Sequence, residues 1–331
     1  MPHVLVVGGA GYIGSHMVKR LRQAGAGVTV LDDLSTGHAD AVIDAELVQG
    51  SLADPALLAG LFASRRFDAV MHFASRIEVG LSMTNPHAFY QTNIGGTLNL
   101  LGAMLDSACR VLVFSSTAAV YGSPQAELIA EDHPCDPASP YGRSKWMVEQ
   151  LLADYTRAHG LNVTPLRYFN AAGADPDGAL GERHMPETHL IPLVLQVASG
   201  RRTSIAINGT DYPTPDGTCI RDYVHVADLA DAHLLALERL LGGGESRTYN
   251  LGNGQGFSVQ EVVATARQVT GRPIASVTAP RRPGDPACLV ACSARARQEL
   301  GWRPRHQRLD TIITHAWGWE QTLEARQRGQ S

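Results

Sequence analysis

The sequence predicts an α/β protein, with a doubly wound parallel sheet in its first half and a smaller α/β lobe in its second. Three observations carry this. Short apolar runs alternate with helical stretches up to residue 170. A glycine cluster at residues 8–14 lies between the first apolar run and the first helical stretch. After Asn170 the alternation stops, and a stretch rich in Gly, Pro, Asp and His follows.

Residues 4–7 are apolar, largely β-branched and bounded by glycine, the pattern of a strand buried on both faces. Residues 12–24 predict a helix, with Ile13, Met17, Val18 and Leu21 on one side and Gly25-Ala26-Gly27 ending it. Residues 28–31 predict a second strand, stopped by Asp32-Asp33. Together they make a βαβ unit of the size a right-handed crossover needs. Residues 69–73 and 111–114 are further strands. Between them, residues 93–105 carry helical spacing in Leu98, Leu101 and Leu105. Residues 163–166 precede Arg167-Tyr168-Phe169-Asn170 as another strand, and 171–189 read as loop. Helices are expected over 191–199, 226–241 and 259–270, with turns at 211–217 and at Gly242-Gly243-Gly244. The division is thus a unit over 1–170 and a lobe over 171–331, with segments of the two expected to interleave.

The composition is 44% hydrophobic and 18% charged, which describes a globule rather than a disordered chain. A formal net charge of -4 gives no reason to expect nucleic acid as a partner. Five scattered cysteines (109, 135, 219, 288, 292) without a Cys-x-x-Cys imply neither a disulfide framework nor a cysteine metal site. His184 and His189 bracket Pro186 and lack the i, i+4 spacing of a zinc helix, so no metal is expected. No apolar run approaches the roughly 18 residues of a membrane span. The start, Met1-Pro2-His3-Val4, lacks a basic leader, so a cytoplasmic setting is expected.

Two motifs carry chemistry. Gly9-x-Gly11-x-x-Gly14 follows a strand and opens a helix, the context that a dinucleotide fingerprint requires. Its glycines permit a tight turn, close approach to a pyrophosphate and close helix–strand packing, as in a Rossmann-type fold. The helix N-terminus favours the anion. Asp32, at the end of the next strand, suits both ribose hydroxyls and would repel a 2′-phosphate, so NAD is favoured over NADP. Gly8, Gly11, Tyr12, Ile13, Gly14 and Asp32 are therefore the candidate cofactor residues. The second motif is Tyr141-Gly142-Arg143-Ser144-Lys145. Ser139-Pro140 reads as a helix start, which places Tyr141, Lys145, Val148 and Leu152 on one face. A lysine cation stabilises a phenolate, so Tyr141 suits proton transfer from a substrate hydroxyl. Thr117, at the carboxyl edge of its strand, can bond the same oxygen. Each motif alone also fits a purely structural use; their order in one chain favours a nicotinamide enzyme.

These residues, with Asp32-Asp33-Leu34-Ser35-Thr36-Gly37, His72-Phe73-Ala74, Arg167-Tyr168-Phe169-Asn170, Arg221-Asp222-Tyr223-x-His225-Val226, Asn250-Leu251-Gly252 and Arg281-Arg282-x-Gly284-Asp285, extend almost from end to end. On them the chain resembles the UDP-glucose 4-epimerases (UDP-galactose 4-epimerases), within the extended short-chain dehydrogenase/reductase superfamily. The resemblance implies a bound NAD that is not consumed, a UDP-sugar substrate and a transient 4-keto sugar. It implies that Tyr141, Lys145 and Thr117 are catalytic, and that Ser51, Leu52, Phe73, Ala74, Asn93, Tyr141, Lys145 and Tyr168 complete the cofactor site. For the substrate it implies Thr117, Tyr141, Phe169, Asn170, His189, Leu190, Asn208, Arg221, Tyr223, Arg282, Asp285 and Leu289. Guanidinium forks suit a diphosphate. A homodimer is implied as well, through helices 93–105 and 145–155, whose Leu98, Leu101, Met147 and Leu151 are equally explained as core.

Some positions depart from the family pattern. Gly50-Ser51-Leu52 has serine where many members carry an acid against the adenine, and Ile77 stands where some carry a lysine. Leu289, or Cys288 with one gap, occupies the position that gates N-acetylated sugars in the family. Ala118-Ala119 replaces the acid pair that a nucleotide-sugar dehydratase needs after the threonine. The alternatives are an epimerase for another UDP-sugar (N-acetylhexosamine, pentose or uronate) and a non-catalytic NAD-binding sensor.

Overall fold

A computed structural model describes residues 1–124, 126–282 and 284–328. Its strands are β1 (His3–Val7), β2 (Gly27–Asp32), β3 (Glu46–Gln49), β4 (Ala69–His72), β5 (Val111–Thr117), β6 (Asn162–Tyr168), β7 (Asn170–Ala172), β8 (Ile205–Asn208), β9 (Ile220–His225), β10 (Tyr249–Leu251), β11 (Gly256–Ser258), β12 (Ser276–Ala279) and β13 (Cys288–Leu289). The helices of the first half are α1 (Tyr12–Gln23), α2 (Pro55–Ser64), α3 (Val79–Thr84), α4 (Pro86–Tyr90), α5 (Gly96–Asp106) and α6 (Pro140–His159). Those of the second are α7 (Leu190–Ala198), α8 (Val226–Leu241), α9 (Val259–Thr270), α10 (Ala294–Glu299) and α11 (Leu309–Arg328). No helix among the described residues is long and apolar enough to cross a membrane.

The main sheet has seven parallel strands in the order β10-β6-β5-β4-β1-β2-β3. Side-chain alternation explains why its strands read as unbroken apolar runs. Val4 and Val6 of β1 join Met17, Val18 and Leu21 of α1 and Leu229 to Leu240 of α8 on one face. Leu5 and Val7 face the other way, onto Leu58 and Leu61 of α2, Leu100, Leu101 and Met104 of α5, and Val148 and Leu152 of α6. A third core, of α7, α9 and α11 against β9, holds the second half together.

Several elements differ from the sequence expectation. The helix expected over 93–105 is a π-turn, Gln91–Gly95, followed by α5. Leu101, offered as outward-facing, is fully buried, whereas Leu98 and Met147 are exposed. The strand expected over 111–114 runs on to Thr117, its last residue. The stretch read as loop opens with β7, which pairs with β9. The second half also returns two elements to the first: β10 extends the main sheet beside β6, and α8 packs on α1.

Candidate active site

The strand order reverses between β1 and β4: β2 and β3 lie to one side, and β4, β5 and β6 to the other. A crevice at the carboxyl ends of the strands forms at such a switch point, and the residues of interest gather there. Phe73 and Ala74 leave β4 with both amides donating to the Val7 carbonyl (2.7 and 3.0 Å). That ties the end of β4 to the glycine turn that follows β1.

The turn is built to its limits. Gly8 has φ +81°, and a Cβ there would lie 2.4 Å from the Ala74 amide nitrogen. A Cβ on Gly14 would lie 2.1 Å from the Gly8 carbonyl oxygen, so α1 can approach only without one. At Gly11 the nearest atom would be 3.5 Å away, which leaves that side open. Gly11 caps α1 without any side-chain bond, so the first-turn N–H groups are available to an anion. Asp32 closes β2 with its carboxylate accepting from the Ala10 amide (2.9 Å) and the Leu34 amide (2.9 Å). Burial raises its pKa and these two amides oppose the rise. A cradle in which Gly8 and Gly14 admit no Cβ, an uncapped helix start and a fixed acid fit a dinucleotide. Tyr12, the first helical residue, anchors its hydroxyl on the Gly173 carbonyl (2.7 Å). Ser51 caps its own turn by accepting from the Ala53 amide (3.2 Å), and Leu52 packs into the core beside α5.

The chemical groups lie at the ends of β5 and α6. The Ser139 hydroxyl accepts from the Gly142 amide (3.1 Å), with Pro140 in the first turn. That start sets the face of α6 on which Tyr141, Ser144, Lys145, Val148, Glu149 and Leu152 are buried. Burial pushes the Tyr141 phenol up to about 12, opposed by the nearby Thr117 hydroxyl. Burial pulls Lys145 down to about 7, opposed by the Glu149 carboxylate one turn further on. Lys145 Nζ donates to the Ser115 carbonyl (2.8 Å) and lies 4.9 Å from the Phe114 ring centroid. The Ser115 hydroxyl bonds the Tyr168 hydroxyl. Asn93 lies beneath, fully engaged with protein. It accepts from the Arg76 amide (2.8 Å) and donates to the Arg76 carbonyl (3.1 Å) and the Ser144 hydroxyl (2.9 Å).

Sequence reasoning missed a buried network behind these groups. Glu149 receives Arg167 through Nε (3.0 Å) and Nη2 (2.6 Å), and also the Ser116 hydroxyl. Arg167 Nη1 donates to the Tyr121 hydroxyl (2.9 Å), which donates to Asn250 (2.7 Å). The signal was a second charged residue, Glu149, one turn beyond Lys145 on the face that carries Val148 and Leu152.

The residues read as substrate contacts come from the second half and from the ends of the main sheet. Arg221 of β9 pairs with Asp285 (3.0 Å), so two expected clamp residues meet. Arg282 donates to the Asn208 side-chain oxygen through Nε (3.1 Å) and Nη2 (3.0 Å), with the amide so oriented. Asn170 donates to the Asp222 carbonyl (3.0 Å), and Tyr223 is buried in the second-half core. Leu289 pairs with Arg221 across β13 and β9, and packs in a cluster with Phe169. Alternation along the strand turns Cys288 to the other side. His189 precedes α7, which begins at Leu190, and its Nδ1 faces Glu182 Oε1 (2.5 Å).

A parallel sheet with a glycine cradle at its switch point, and a buried tyrosine and lysine on the adjoining helix, define a nucleotide-cofactor enzyme of the reductase–epimerase class. The chain belongs to the NAD dependent epimerase/dehydratase family, whose model matches residues 4–252. It is 51% identical over 316 residues to a UDP-glucose 4-epimerase of Halalkalibacterium halodurans, covering 96% of this chain and 95% of that one. The crystal structure of a UDP-glucose 4-epimerase from Brucella ovis in complex with NAD superposes with a TM-score of 0.94. Identity there is 46%, over 96% of this chain and 98% of that one. A UDP-glucose 4-epimerase structure from Stenotrophomonas maltophila, with bound NAD and formylated UDP-arabinopyranose, gives a TM-score of 0.95 at 40% identity, covering 98% and 100% of the two chains.

Proposed function

We propose that this protein interconverts UDP-galactose and UDP-glucose through a transient 4-keto sugar, using bound NAD. The observation that carries this is the burial of Tyr141 and Lys145, one turn apart on one face of α6, against the carboxyl end of β5 where Thr117 stands. Gly8, Gly11, Tyr12, Ile13, Gly14 and Asp32 would hold the cofactor, with Ser51, Leu52, Phe73, Ala74 and Tyr168 around it and Asn93 supporting the wall. When bound, NAD supplies the hydride acceptor and donor for C4 and a positive charge that favours the Tyr141 phenolate. Tyr141 takes the 4-hydroxyl proton, holds it while the sugar is a ketone, and returns it to the same oxygen. Thr117 fixes that oxygen by a hydrogen bond. Lys145 adds positive charge, and its bond to the Ser115 carbonyl sets its position.

Arg221, Arg282 and Asp285, with Asn208, Asn170, His189, Leu190 and Tyr223, would grip the UDP moiety. Phe169 and Leu289 would offer the sugar an apolar wall. Firm hold of the nucleotide and few polar contacts to the sugar let the ketone turn and receive hydride on its other face. In this division of labour, the residues of 1–170 serve cofactor and chemistry, with Phe169 and Asn170 at their end already facing the sugar nucleotide, and those of 171–331 serve the UDP-sugar. Five free cysteines support a reducing, cytoplasmic setting. Exposed Val79, Leu81 and Met83 on α3, Leu98 on α5 and Met147 on α6 support a homodimer through these helices, which light scattering on the purified protein checks.

The reading is tested by incubating purified protein with UDP-galactose, without added NAD, and following the anomeric signals by NMR. A mixture of UDP-galactose and UDP-glucose is the expected result. No conversion, with NAD supplied or withheld, would overturn it.

A further inference from the structure

The loop before α7 brings together Glu182, His184 and Glu187, which the site does not explain, with His189, which is also read as a UDP contact. Glu182 Oε1 lies 2.9 Å from His184 Nδ1 and 2.5 Å from His189 Nδ1. Glu187 Oε1 lies 3.5 Å from His189 Nδ1 and 3.9 Å from His184 Nδ1. All four atoms fall within 4.8 Å of one another. The i, i+4 rule that argued against a metal at His184 and His189 applies to helices. Here the ligands come from a loop, and the rule does not reach them.

We propose that Glu182, His184, Glu187 and His189 form a structural zinc site. Zinc with nitrogen and oxygen ligands at about 2.0–2.2 Å needs ligand atoms about 3.3–3.6 Å apart in a tetrahedron. The separations here straddle that edge, so small shifts complete the shell. Two carboxylates and two neutral imidazoles carry a charge that a dication cancels. Both carboxylate side chains are only 5% exposed, so a cation that replaces the shared imidazole protons would sit in a water-poor pocket. Calcium and magnesium prefer all-oxygen shells, so the two imidazoles select a transition metal, and four ligands in a tetrahedron favour zinc among these. Binding places the ion where the Nδ1 protons shared with Glu182 stand, and releases them to solvent.

The surroundings hold the ligands in place, as an outer shell does. Glu187 Oε1 accepts from the amides of Thr188 (2.7 Å) and His189 (2.9 Å). Trp319 of α11 donates to the Glu182 carbonyl (2.9 Å), and a Cβ on Gly181 would lie 2.2 Å from the Trp319 ring. His184 stands edge-on to Tyr12, with ring centroids 6.3 Å apart. Four protein ligands leave no open position, so the ion is structural. It would pin one loop that touches the cofactor cradle through Tyr12 and leads into the substrate side at Leu190.

The test uses untagged holoenzyme from zinc-supplemented cells, with metal measured by mass spectrometry after gel filtration. About one zinc per chain is expected, lost from His184→Ala and Glu182→Gln. Stripping wild type with EDTA is expected to lower Tm by about 5 °C, restored by zinc but not by magnesium. Cobalt added to stripped wild type should give the visible bands of tetrahedral coordination. Less than about a tenth of a zinc per chain with no zinc-dependent Tm, or equal zinc in wild type and both variants, would overturn the assignment.

Discussion

At the scale of single residues, the account rests on Tyr141 and Lys145, and their burial works in opposite directions. Burial raises the Tyr141 phenol to about 12, and the positive charge of bound NAD would bring it down towards the phenolate that accepts the sugar proton. Burial lowers Lys145 to about 7, opposed by the Glu149 carboxylate, which favours the charged form. Replacing Tyr141 by Phe keeps the packing and removes the proton carrier. The expected loss in kcat is about 10²–10⁴-fold with an unchanged thermal midpoint. Lys145 also makes a prediction about stability. Its folded pKa, about 7, is below the ordinary lysine value of 10.5, so the unfolded chain binds more protons in that interval. The Lys145 contribution is therefore fully favourable above the unfolded value and is lost as pH falls through about 7. Tm measured against pH should rise more steeply through this window in wild type than in Lys145→Met. Equal slopes would contradict the burial argument. Both residues are legible in the sequence because helical spacing fixes what shares a face. The Lys145 bond to Ser115 is not, because a strand's carbonyl direction depends on its neighbours.

At the scale of elements, α1, α6, α8 and α9 announce themselves through caps and periodicity. Ser139-Pro140 starts α6, and Ser258 with Glu261 forms a reciprocal cap on α9. The π-turn before α5 was not legible. Apolar spacing continues through it, and only the packing of Asn93 against Arg76 and Ser144 distinguishes it. Strand β3 and helix α2 went unread, although Asp54-Pro55 is a helix start whose carboxylate accepts from two amides. The tie between α6 and β6 also needs three dimensions. Glu149 and Arg167 are 6% exposed or less, and form a buried fork. Glu149→Gln leaves the guanidinium without its counter-charge, at an expected cost of about 3 kcal/mol in denaturant unfolding. An effect below about 0.5 kcal/mol would mean that water reaches Arg167.

At the scale of the whole molecule, the fold class was legible from strand–helix alternation, because strands of a parallel sheet are apolar on both faces, whereas the switch point needs the strand order. The return of the chain was not. Residues 249–251 are too short to reveal that they complete the main sheet, and α8 reads like any amphipathic helix. Yet Leu229, Leu234, Leu237 and Leu240 lie in the same core as Val4 and Met17. The two halves are thus bound by a common interior. A fragment of residues 1–170 would leave β6 as a bare edge and one sheet face uncovered. It is expected to aggregate or to lack a cooperative thermal transition, whereas a sharp transition would show that the first half stands alone.

The central claim is that C4 is oxidised and reduced by hydride held on the protein, with Tyr141 carrying only the hydroxyl proton. Conversion of UDP-galactose in D2O, read by NMR, tests this most directly. The account predicts UDP-glucose that keeps protium at C4, because hydride leaves and returns without meeting solvent. Deuterium at C4 would contradict it, since the hydrogen would then have left as a proton.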